Sequence, residues 1–166
     1  MKGLTTVREA QLSDGPPLYR AWQTLRDYNA SLDPRMRLMP VSEPEFVAGL
    51  DLTIKRPTSR TFVAERDGRL LGFGTCGIEA GQPDRLPERH ATVGYLYVDP
   101  GARRLGLGRR MFDAMVLWAR DQEGISHIEM PVLHHDSAAV AFWTALGFRP
   151  YIQRLWAPLD PQEDGG

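Results

Sequence analysis

Four arginines and two glycines crowd one short stretch of the chain: Arg103, Arg104, Leu105, Gly106, Leu107, Gly108, Arg109 and Arg110. Their chemistry is anion binding. Leu107, Met111, Met115 and Trp118 recur at helical spacing, with Phe112 and Ala119 beside them, so the stretch opens a helix. A helix N-terminus already carries roughly half a positive charge, and cations there are unfavourable unless an anion sits on top of them. Gly106 and Gly108 have no side chains to keep such an anion from the free backbone N–H groups. A phosphate cradle is the functional reading, and a solvated basic helix face is the alternative. The stretch lacks the Gly-Lys-Ser/Thr ending of a P-loop. It also lacks the third glycine of a dinucleotide fingerprint and an early strand to carry one.

The elements that must position this stretch surround it. Residues 93–98, β-branched and aromatic, read as a strand, and Asp99-Pro100-Gly101 closes it. Upstream, residues 5–8 read as a first strand. Ser13-Asp14-Gly15-Pro16-Pro17 reads as a helix entrance, followed by a stripe of Leu18, Trp22, Leu25 and Tyr28 that belongs to a core. Residues 29–40 read as a polar loop. Ser42 and Glu45 have capping-box spacing ahead of a second helix to about Leu52. Residues 61–65 and 70–78 read as strands joined by Asp67-Gly68, the strongest hairpin signal in the chain. The glycines of the second strand suggest a bulge or a close backbone approach. Residues 81–89 read as a loop and 107–122 as the helix, with Gly124 closing it. Residues 126–133 read as a strand in which Pro131 implies an edge or a splayed position. A short helix over 138–146 ends at Gly147, and 148–159 reads as a last strand. The order βααβββαβαβ predicts a mixed α/β layer fold.

Composition sets the outer limits. The chain has 166 residues, 42% of them hydrophobic, with a formal net charge of −1. That suits a single domain over 1–159 with a flexible tail at 160–166. The arginines therefore act locally, and no nucleic-acid partner is expected. No signal peptide and no run of membrane-spanning length is read, so no membrane partner is expected. A single cysteine, Cys76, excludes an intrachain disulfide and fits a cytoplasmic compartment. No metal site is read from the sequence.

Two motifs together resemble the GNAT superfamily of acetyl-CoA-dependent N-acyltransferases. The first is Leu96-Tyr97-Val98-Asp99-Pro100 followed by Arg103-Arg104-Leu105-Gly106-Leu107-Gly108. The second is Val132-Leu133-His134-His135-Asp136, then Ala139-Val140-Ala141-Phe142-Trp143 and Leu146-Gly147-Phe148. The resemblance covers essentially the whole chain, weakly over the first 60 residues. It implies a GNAT fold, α/β (α+β), with a mixed, mostly antiparallel central sheet flanked by helices. Strands splayed near Val98 and Met130 would form the cofactor slot. It implies acetyl-CoA as donor, with the backbone of Leu96, Tyr97 and Val98 pairing with the pantetheine arm as an added strand. The amides of the run Arg104, Leu105, Gly106, Leu107, Gly108 and Arg109, beside Arg103, would hold the pyrophosphate. Asp136, Ala139 and Phe142 would flank the thiol end or the arm.

The implied function is transfer of an acetyl group to a primary amine of a small molecule or peptide, by direct attack in a ternary complex. A backbone N–H near Val98 is the expected oxyanion donor. The chain departs from its relatives where many place a general-acid tyrosine, here Trp143, and where some place a carboxylate, here Gly94. An indole N–H cannot serve as a general acid near neutral pH. His134 and Tyr95 are the candidate catalytic residues, with Tyr97, Glu79 and Tyr151 as further possibilities. Asp136 has the simpler role of capping the helix. The loops after Asn29 and Ile78 are expected to shape the acceptor pocket. A binding module that senses acyl-CoA with little turnover is the alternative function, and a homodimer is left open.

Overall fold

The computed structural model describes residues 4–159, and the expected tail, 160–166, lies outside them. The described chain divides at His135 into two compact units. The first holds β1 (Thr6–Glu9), α1 (Gly15–Leu32), α2 (Glu43–Lys55), β2 (Ser59–Arg66), β3 (Arg69–Ala80), β4 (Arg89–Val98), α3 (Leu107–Arg120) and β5 (Ile128–Glu129). The second holds α4 (Ser137–Ala145). The sheet runs β1-β2-β3-β4-β5, antiparallel throughout except for the parallel pair β4–β5.

Local chemistry explains most boundaries. Asp67 and Gly68 both take positive φ, 52° and 74°, which gives the β2–β3 hairpin the turn that matches strand twist. Ser42 and Glu45 form the expected capping box. The Ser42 Oγ accepts the Glu45 N–H at 3.4 Å, and the Glu45 carboxylate accepts the Ser42 N–H at 2.8 Å. Arg8 on β1 ties the sheet edge to the entrance of α1. Its guanidinium donates to Asp14 at 2.7 Å and to Glu65 at 2.6 Å. That bond holds the Asp14 carboxyl below its usual value, although burial opposes it.

The sheet is covered on both faces. On one, α1 and α2 bury Leu18, Ala21 and Leu50 against Val63 and Phe73, with Trp22, Leu25 and Phe46 packed around them. Tyr28 closes the predicted stripe but is exposed. On the other face α3 buries Leu107, Met111, Phe112, Met115 and Ala119. Side chains alternate along β3, so Phe73 meets the first layer while Gly72 and Gly74 face α3. A Cβ on Gly72 would lie 3.1 Å from the Met111 methyl, and one on Gly74 would collide with the Met115 methyl. These glycines seat α3 on the sheet, the close approach expected of them.

Three expectations are corrected. α1 runs to Leu32 instead of ending before Asn29, because no helix breaker precedes Asp33-Pro34. β5 is two residues long, Ile128 and Glu129, against the expected 126–133. Pro131 offers no N–H and the ladder stops ahead of it. Residues 148–159 form no strand. Tyr151, Ile152, Leu155 and Trp156 are all exposed, and their spacing lacks the two-residue alternation that gives a strand one buried face.

Candidate active site

The site is built on β4. Its pairing with β3 runs in register from Val98↔Gly72 to Tyr95↔Thr75 and then skips to Val93↔Cys76. Gly94 is the extra residue of a β-bulge. A Cβ there would fall 2.7 Å from Thr75 Oγ1, and that hydroxyl accepts the Tyr95 N–H at 2.9 Å. Gly94 thus leaves room at the bulge for the Thr75 side chain.

Beyond the bulge, among the described residues, no strand pairs with the β5-side edge of β4. β5 pairs with β4 only at Ala91↔Ile128 and Thr92↔Glu129. The Asp99 N–H donates to Leu71 O at 2.8 Å. Bonding alternates along an antiparallel ladder, so Tyr97 also faces β3 while Leu96 and Val98 present N–H and C=O to the open edge. The parting of the strands thus falls between Thr92 and Val98, as Pro131 and the expected slot require.

The chain then turns directly into the glycine- and arginine-rich stretch. Asp99 Oδ1 accepts the Gly101 N–H at 2.9 Å, and the Arg103 Nε reaches back to Val98 O at 3.3 Å. Arg104 adopts φ 62° and Gly106 φ 74°, both left-handed. Alternating left-handed residues turn successive N–H groups inward to form an anion-binding nest. The first amide to enter the α3 ladder is that of Arg110, bonded to Gly106 O at 3.0 Å. The amides of Leu107, Gly108 and Arg109 precede it and have no intrahelical acceptor. Arg109 pairs with Asp113 at 3.0 Å and Arg110 with Thr5 O at 3.0 Å. Among the described residues Arg104 makes no ion pair, so its charge is available to a ligand. These features fit a diphosphate.

The proton-transfer candidates are dispersed. Tyr95 and Tyr97 flank Phe73, with ring centroids 6.4 and 5.9 Å from it, on the α1 face of the sheet. Burial, reinforced by Asp99, pushes the Tyr97 phenol above its usual value, so it is fully protonated near neutrality. His134 lies in an exposed turn after β5, its ring edge-on to His135 at 5.1 Å. Glu79 is exposed on β3 opposite His90, and Tyr151 is exposed in an irregular segment. The loops expected to shape an acceptor pocket shift to 33–42 and 81–88, because α1 extends past Asn29 and β3 past Ile78. A cleft of about 510 Å³ opens beside Tyr97, lined also by Arg20, Thr24, Arg69 and Asp99. Its mixed charge does not name an acceptor.

In the second unit Asp136 caps α4, its Oδ1 accepting the Ala139 N–H at 2.9 Å. Trp143 is buried, edge-on to Phe142 at 5.0 Å and to Phe148 at 5.1 Å. The indole packs, as its position beside Phe142 and Leu146 suggested.

Comparison with known proteins agrees with this architecture. Residues 20–148 match the Acetyltransferase (GNAT) family. The chain belongs to that family, whose acetyltransferases use acetyl-CoA. A stretch of 96 residues is 34% identical to a mycothiol acetyltransferase of Acidothermus cellulolyticus, covering 53% of this chain and 29% of that protein. The chain spans about a third or less of the length of such curated relatives. A variant of the BH1408 protein of Bacillus halodurans shares the fold, with a TM-score of 0.80 at 20% identity over 93% of this chain and 99% of that one. The aminoglycoside N-acetyltransferase AAC(6')-Iy, in complex with CoA, superposes with a TM-score of 0.72 at 15% identity, over 95% and 96% of the two chains. Among the described residues no helix is long and apolar enough to cross a membrane.

Proposed function

We propose that the protein transfers an acetyl group from acetyl-CoA to a primary amine of a small molecule or peptide. The observation that carries this is the continuity of an open strand edge at Leu96 and Val98 with the unladdered amides of Leu107, Gly108 and Arg109. An extended amide-bearing arm pairs with such an edge, and a diphosphate is held by such amides. Arg104 adds charge to the cradle.

The chemistry needs a neutral amine, a held thioester and an oxyanion donor. The amine nitrogen attacks the thioester carbonyl carbon. The oxyanion takes an N–H of the β4 edge near Val98, where the Gly94 bulge fixes the strand. Collapse breaks the C–S bond, the amine gives up its proton and the departing thiolate gains one. Tyr95 and His134 are the groups proposed to move these protons. An acetyl-cysteine intermediate is disfavoured, since Cys76 is the chain's one cysteine and burial pushes its thiol up to about 12. Direct attack in a ternary complex follows. Membership of an acetyltransferase family does not favour the sensor alternative.

The test is thiol release from acetyl-CoA across a panel of primary amines. Release that rises with one class of amine supports the reading. Binding of CoA without amine-stimulated release from any member of the panel overturns it.

A further inference from the structure

We propose that the β4–β5 pair carries a divalent transition-metal site formed by His90, His127 and Glu129. The residues are distant in sequence, and the parallel register brings them together. With Ala91 opposite Ile128 and Thr92 opposite Glu129, His90 falls beside His127. Side chains two apart on a strand share a face, so all three project to one side.

The ligand atoms converge. Glu129 Oε1 is 3.0 Å from His127 Nε2, and Glu129 Oε2 is 3.6 Å from His90 Nε2. One ligand atom from each residue lies within 4.8 Å of the other two. Donors bound to zinc at about 2.0–2.1 Å in a tetrahedron stand about 3.3–3.4 Å apart, so small side-chain rotations complete the set. The two imidazoles are stacked, 5.4 Å between centroids and 12° from parallel, and each has its Nε2 beside an oxygen of the Glu129 carboxylate. Ser126 Oγ stands 3.5 Å from His127 Nδ1, where it orients the ring as outer-sphere partners of metal-bound histidines do. His90 and Glu129 are mostly sheltered, their side chains 14% and 33% exposed, while His127 opens the site to solvent.

Two imidazoles and one carboxylate suit zinc, nickel, copper or iron rather than calcium or magnesium. Three protein ligands leave a position for water or an exogenous group. His90 and His127 flank the two-rung β4–β5 ladder and Glu129 stands on its last rung, so a bound ion ties those strands together where they part. None of its ligands belongs to the proposed acetyl-transfer machinery.

Calorimetric titration of chelator-stripped, tag-free protein with zinc chloride tests the proposal. The chain has four histidines, and the other two, His134 and His135, supply the control. One zinc per chain is expected for the parent and for the variant carrying His134→Gln with His135→Gln. His127→Gln and Glu129→Gln are each expected to weaken binding about tenfold or more. On the unmutated protein, the ring resonances of His90 and His127 should shift on adding zinc while those of His134 and His135 stay in place. No zinc binding by the parent, undiminished binding by His127→Gln, or loss confined to the His134 and His135 variant overturns the proposal.

Discussion

Replacing Arg104 by asparagine should move stability and cofactor affinity in opposite directions. Arg104 holds φ 62°, a left-handed conformation that costs an ordinary L-residue roughly 1–2 kcal/mol and costs asparagine less. It also places a cation just ahead of the α3 N-terminus, where a like charge is unfavourable by about 0.3–1 kcal/mol. Arg104→Asn relieves part of the first cost and all of the second, together about 1 kcal/mol. For a chain of this size that raises the melting temperature by about 2–4 °C. With the ligand the sign reverses. A charge-assisted hydrogen bond to phosphate is worth roughly 1.5–3 kcal/mol, so CoA affinity should fall about ten- to a hundredfold. Thermal melts with and without CoA read both effects, because ligand stabilisation follows mass action. The parent should melt below the variant when free and above it with saturating CoA. A variant that melts lower than the parent when free, or that binds CoA equally tightly, would refute the account of this residue as strained in the service of a phosphate.

Other expectations follow from particular contacts. A Cβ on Gly72 would lie 2.6 Å from Tyr97 O and 3.3 Å from the Val98 Cα, so Gly72→Ala must displace β4. It should cost about 1–3 kcal/mol in a melt and lower turnover through the open edge. Trp143→Phe should keep turnover within about tenfold in a thiol-release assay, since a general acid typically contributes a hundredfold or more. Trp143→Ala should lose about 3–5 kcal/mol of stability. Asp14 has its folded pKa depressed by Arg8, so its contribution is complete above the unfolded value of about 3.9 and is lost as pH falls through the folded one. Asp14→Asn should therefore lower stability at pH 7 and flatten the acid side of the stability curve, read by denaturant melts from pH 7 downward.

Sequence alone determined the features whose physics is local. Asp67-Gly68 specified the hairpin because two positive φ values in succession are costly for most other residues. Ser42 and Glu45 specified their cap through atoms three residues apart. The glycine and arginine run specified a helix start with free backbone amides, the feature on which the proposed anion site rests, since such amides need no distant partner. Pro131 marked an edge or splayed position, although not that the strand would end ahead of it and leave β5 two residues long. Other features depended on pairings between distant segments. The bulge at Gly94 exists only in register with Thr75, and a lone glycine in a strand does not say which neighbour it accommodates. Arg104 looked like one more cation until its backbone proved left-handed, a conformation imposed by the turn between β4 and α3. His90, His127 and Glu129 met only because β5 lies parallel to β4, and nothing in the spacing of residues 37 apart encodes that register. Tertiary structure decides such features because a strand's partner, direction and register are fixed by burial across the whole sheet, and no local stretch of chain carries that information.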